Sequence, residues 1–186
     1  MLGEYRKFLN PARCWDDLRM VMLQEVDDDS FISDVFLNVH RILNEDVTEI
    51  DALGGTVSLV DQNASSKDAN GQKYWIGAYP NNYLEEGGDF PIGIIKTPES
   101  SNVRRGFRLS EEFYTFEIQV YARRAEHPAL IISKAWNALK NYEKELADKG
   151  LYNLTHGQTT SGMNMYGEMK IHSMTMPVTV RRTRCD

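Results

Sequence analysis

Phe113-Tyr114-Thr115-Phe116-Glu117-Ile118-Gln119-Val120-Tyr121 decides how the rest of this chain is read. Tyr114, Phe116, Ile118 and Val120 fall on one side of an extended segment, and Thr115, Glu117 and Gln119 on the other. A repeat of two describes a strand whose sheet buries one face and leaves the other polar. Just downstream, His127-Pro128 breaks the pattern and a helical one begins. Pro128 suits a first helical turn, where its missing N–H costs nothing. Ile132, Ala135, Trp136, Leu139, Tyr142 and Leu146 then form an apolar stripe, and Gly150 is a natural C-terminal cap. This predicts a helix over 129–148, packed on the sheet. The chain closes on a second strand, Met174 to Arg181, with Met174, Met176, Val178 and Val180 on one face. Met169 and Ile171 fall on the opposite parity, which predicts a bulge or a break near His172.

Working outward, residues 151–167 are rich in glycine and polar side chains and read as a loop, with a flexible hairpin as the alternative. Phe90-Pro91-Ile92-Gly93-Ile94-Ile95 reads as a short strand with proline at its entry, where no ladder N–H is needed. Residues 97–106 read as an exposed loop. Thr56–Val60 and Tyr74–Tyr79 read as two strands of one hairpin, its long tip the polar stretch 61–73. Gly54-Gly55 breaks the chain before them. Ile32, Val35, Phe36, Val39 and Leu43 mark a helix running from Ser30 to Asn44. Ser30 is its expected N-cap, and Asp27, Asp28 and Asp29 sit at the positive end of its dipole. Trp15, Leu18, Met22 and Val26 recur at helical spacing in a separate N-terminal piece. The expected organisation is an extension over 1–29 and one domain over 30–186. Its class is α+β: a mostly antiparallel, mixed sheet with helices packed on its face and long loops.

The 186 residues suffice for a core of real size. A net charge of -6 argues against nonspecific duplex binding, which needs a basic surface to displace counterions. It leaves room for a DNA conduit with a repelling wall. The two cysteines, Cys14 and Cys185, belong to no CxxC unit and read as free thiols of a reducing compartment. No apolar run has the length of a membrane span, and the first residues lack the pattern of a signal peptide. A cytosolic protein is expected.

The search for chemistry finds little. His40, His127, His156 and His172 are scattered and form no zinc-binding spacing. No phosphate-cradling loop and no nucleophile elbow occur. Glu168-Met169-Lys170, with Asp89 as a second acid, is the best enzymatic candidate, since a metal-binding carboxylate and a lysine near water serve phosphodiester hydrolysis. A solvated strand accounts for the same tripeptide. No cofactor and no metal are expected. Arg104, Arg105, Arg108, Arg123 and Arg124 form the main basic concentration around the central strand, and Arg181, Arg182 and Arg184 a second one. They read as surface or inter-subunit ion-pair partners, arginine's planar fork being suited to carboxylates. Tyr74, Trp75, Tyr79 and Tyr83 are an aromatic concentration that fits core packing, an interface anchor or a base-stacking platform.

The order of these pieces resembles the tail terminator proteins of tailed phages and related viruses. The likeness rests on the helix from Ser30 to Asn44, on Tyr79-Pro80 followed by Phe90-Pro91-Ile92-Gly93-Ile94, and on Phe116-Glu117-Ile118-Gln119-Val120-Tyr121-Ala122. The helix around Leu139, Gly150-Leu151 and the closing strand complete it. It covers residues 30–182 and leaves the N-terminal extension aside. The resemblance implies a non-enzymatic virion protein of the tail and neck, assembled in the host cytoplasm. It implies a homohexameric ring that caps the finished tail tube and joins it to a head-completion or neck protein, with sheath as a further partner. Genomic DNA would pass through the lumen without sequence-specific binding, and no membrane is involved. Arg104, Arg105, Arg108, Arg123, Arg124, Arg181, Arg182, Trp75 and Tyr83 are the candidate interface residues. Another head–tail connector, completion or tube-like protein is the nearest alternative, and a metal-dependent nuclease the remote one.

Overall fold

The computed structural model describes residues 28–60, 74–77, 89–96, 99–104, 109–149, 151–166 and 168–185. Side chains are described throughout these except at 28–35, 100, 102–104, 109–110, 166 and 183–185. The fold is α+β, as the alternation of patterns predicts. Helix α1 (Asp28–Asp46) leads into strands β1 (Glu49–Ala52) and β2 (Gly55–Ser58), which form a small antiparallel hairpin of their own. Gly54 and Gly55 turn that hairpin with φ of 113° and 129°, a region in which a side chain would be strained.

The main sheet is built around two long strands, β6 (Leu109–Ala122) and β9 (Met169–Cys185). They pair antiparallel without a register shift, from Leu109 opposite Cys185 to Ala122 opposite His172. Shorter strands flank this ladder. On the β6 side, β4 (Ile92–Ile95) pairs one end and β5 (Glu99–Arg104) the other. On the β9 side lie β7 (Tyr152–His156) and β8 (Thr160–Tyr166), one after the other along the same edge. Strand β3 (Trp75–Ile76) adds to β4 in parallel, which makes the sheet mixed.

Helices α2 (Glu126–Asn141) and α3 (Glu143–Asp148) cover one face. Tyr114, Phe116, Ile118 and Val120 of β6 and Met176, Val178 and Val180 of β9 are buried on that face. They share one core with Ile131, Ile132, Ala135 and Leu139 of α2 and with Val39, Ile42 and Leu43 of α1. The opposite face carries polar side chains along β6, while Ile92 and Ile94 of β4 and Ile171 of β9, on the same parity, are buried. Tyr121 donates to Gln119, Gln119 donates to Glu117, and Lys96 pairs with Glu117 at 2.8 Å. Among the described residues no helix is long and apolar enough to cross a membrane.

Several local expectations change. Residues 56–58 pair back onto 49–52 rather than forward onto 74–79, because the two glycines make a tight turn. The segment at 75–76 instead joins the main sheet beside β4. The helix read over 129–148 starts at Glu126 and is interrupted at Tyr142, whose φ and ψ of −92° and 7° leave the helical region. Helix α1 is described from Asp28, so Ser30 lies inside it rather than capping it, Asp28 and Asp29 belong to the helix, and Asp27 lies outside the described residues. The loops read over 97–106 and 151–167 contain β5, β7 and β8. Strands β7 and β8 pair with β9, not with each other.

The parity change near His172 is real in burial, since Ile171 is buried on one parity and Met176 on the other. No break accompanies it against β6 or β8. Pro177 explains how β9 stays continuous without a donor there. Its carbonyl accepts from Gly157 N at 2.9 Å, so its nitrogen faces the same side, where the chain passes from β7 to β8. The missing N–H falls in that gap. The helix read over 15–26, the strand beyond Gly77, the tip at 61–73, Cys14 and Gly150 lie outside the described residues, as does the Cys185 side chain.

Candidate assembly surface

The positions that sequence singles out separate into a core residue, paired charges and two sheet ends. Trp75 is fully buried. Its indole N–H donates to Val47 O at 2.9 Å, and its ring lies over Gly93, where an added Cβ would come within 2.7 Å of three ring carbons. Asn44 of α1 holds it from the other side. The Asn44 side-chain oxygen accepts from Tyr74 N at 2.8 Å and Trp75 N at 3.0 Å, while its amide donates to His40 O at 2.9 Å. Trp75 therefore locks the helix to the sheet and offers no surface to a partner. Tyr83, Arg105 and Arg108 lie outside the described residues.

The arginines do not form one patch. Arg104 ends β5 and stands in a row with Ser110 and Arg184 at one end of the sheet. Arg123 and Arg124 are exposed in the bend after β6, at the other end, with Arg123 over the Phe90 ring at 6.0 Å. Fourteen residues of strand, about 45 Å at the usual rise, lie between. Arg181 and Arg182 are half-buried and ion-paired within the chain, although Arg181 Nε and Arg182 Nη1 make no hydrogen bond. Arg181 pairs with Glu111 at 3.4 Å and Arg182 with Glu112 at 3.7 Å. Glu112 is buried and also accepts from the Tyr114 hydroxyl at 2.8 Å. Burial, and then that hydrogen bond, push the Tyr114 phenol up to about 12. This polar knot ties β6 to β9.

The enzymatic candidates are spread over different elements. Glu168 is exposed in the turn between β8 and β9, Lys170 is exposed on β9, and Asp89 is exposed ahead of β4 on the far side of β6. Among the described residues no three His, Cys, Asp or Glu side chains converge as a metal site. His40 is buried with neither ring nitrogen in a hydrogen bond of normal geometry, although the Trp75 backbone is near enough to favour its charged form slightly. It packs edge-on against Phe36, and burial holds its pKa down at about 4.

Two exposed methionines were not anticipated. Met163 and Met165 of β8 are 55% and 52% exposed, on the same side of the strand. Beside Met163 a groove of ≈ 450 Å³ is lined by Ala125 and Pro128 of the α2 entry and by His172 and Met174 of β9. The Met-Asn-Met spacing was the available signal, but a seven-residue stretch with one glycine carries too little periodicity to be read as a strand. The chain matches no protein-family model, and no curated protein matches it significantly.

Proposed function

We propose that this chain is a virion structural protein of the tail-terminator kind. Its copies form a hexameric ring that caps a completed tail tube, stops further tube growth and joins the tail to a head-completion or neck protein. Sheath is a further partner, and DNA passes through the lumen. The work is structural, with no catalysis.

The observation that carries this reading is the build of the sheet. Among the described residues helices pack on one face of the two long central strands, and β5 and β8 each pair on one side. Open edges on opposite flanks suit a head-to-tail contact that closes by rotation, and closure removes the hazard of an exposed edge. The helix-free face adds support. Its described residues include Thr115, Thr179, Gln119 and Tyr121, with its charges paired as Lys96–Glu117 and Arg181–Glu111, so these residues do not grip phosphates by net charge. That suits a wall past which DNA slides.

Native mass spectrometry with negative-stain imaging tests the reading. A discrete hexameric ring that halts the growth of added tube protein is the expected result. A twelvefold ring moves the chain to the head-side connectors. A magnesium-dependent cleavage of DNA that Glu168→Ala removes would overturn the non-enzymatic role.

A further inference from the structure

The β8–β9 hairpin runs past the start of α2, so among the described residues no helix covers there the face that helices cover elsewhere, and Met163 and Met165 are exposed. They sit on that face beside Met174 and the Ala125–Pro128 groove. Flexible, polarizable methionine side chains make an adaptable surface for an amphipathic helix. The sequence holds one such segment outside the described residues, with Trp15, Leu18, Met22 and Val26 along one stripe.

We infer that residues 15–26 of one copy dock in the groove beside Met163 and Met165 of the next copy. Geometry favours the neighbour over the chain's own groove. Val47 and Glu49, just after α1, lie against Trp75 and Lys134, whereas Arg41 pairs with Glu145 and Asn38 with Lys149. Going back along α1 thus leads away from the α2 entry. The chain leaves Asp28 at the far end, roughly 35 Å from Pro128 at 1.5 Å per helical residue. A helix over 15–26 joined directly to Asp28 places its centre only about 16 Å from that exit. Charge agrees in sign. Residues 15–27 carry Asp16, Asp17, Glu25 and Asp27 against Arg19, and the groove's chain neighbours are Arg123, Arg124 and Lys170 against Glu126 and Glu168.

The inference rests on the ring reading only in requiring a neighbouring copy. The test uses the full chain with Leu18→p-benzoylphenylalanine, irradiated and resolved on a denaturing gel, with peptide mapping of the product. A cross-linked dimer joining the N-terminal peptide to residues 160–174 is expected. Met163→Lys combined with Met165→Lys should cut that product at least tenfold and weaken assembly, with the far-ultraviolet circular dichroism unchanged because both positions are exposed. A ring whose cross-links map elsewhere would overturn the docking and leave the ring intact. Cross-links confined to the monomer band would overturn docking in trans. A monomer with no dimer band at any concentration would overturn both.

Discussion

At the scale of single residues, Trp75 and its surroundings set the tolerance of the fold. Gly93→Ala drives a Cβ into the indole ring, and overpacking of that kind costs roughly 1–3 kcal/mol. A drop in the urea midpoint with an unchanged slope is the expected reading. Asn44→Leu leaves the Tyr74 and Trp75 amides without their acceptor and should cost about 2 kcal/mol by the same measurement. His40 gives a pH dependence of definite sign. Its folded pKa of about 4 lies below the ordinary 6.5, so the folded state holds the neutral ring. Stability is therefore full above pH 6.5 and falls as the pH drops toward 4. The loss approaches about 3 kcal/mol at 1.36 kcal/mol per pKa unit. His40→Leu should flatten that profile between pH 6.5 and 4. None of these contacts was legible beforehand. Asn44 and Gly93 are ordinary residues in the sequence, and only the meeting of α1, β3 and β4 gives them their partners.

At the scale of elements, β6 and α2 were legible because each carries a long apolar repeat that burial enforces. Strands β5, β7 and β8 were not, because their stability comes from the long strands they lean on. Strand β7 hides its alternation further, with a bulge between Tyr152 and Thr155 and Asn153 at a φ of 52°. Of the candidate site, sequence identified the arginines but not their pairing, since Glu111 and Glu112 meet Arg181 and Arg182 only through register. The Glu112 knot predicts a late titration. The Tyr114 phenol stays neutral until about pH 12, whereas an unfolded tyrosine ionises near 10. Stability conferred by the neutral phenol is thus complete below pH 10 and is lost as the pH rises through 12. An absorbance titration should show a phenol that ionises near pH 12, and Tyr114→Phe should remove that component.

At the scale of the whole molecule, the net charge argued against nonspecific duplex binding, and the order of elements gave the α+β class. How copies meet was not legible, because edges and bare faces exist only once strands are paired. A ring built on those edges predicts assembly that depends on protein concentration and is weakened by a charge or a proline on β8. Asn164→Pro should lower the assembled fraction in native mass spectra while leaving the helix signal intact. The unbroken β6–β9 ladder has one more consequence. A pull applied along the two strands in opposite directions loads all its rungs at once, while a pull across them opens the rungs one by one. The subunit is therefore mechanically anisotropic, stiff along the ladder and compliant across it. Single-molecule stretching from the two directions would read that ratio of unfolding forces directly.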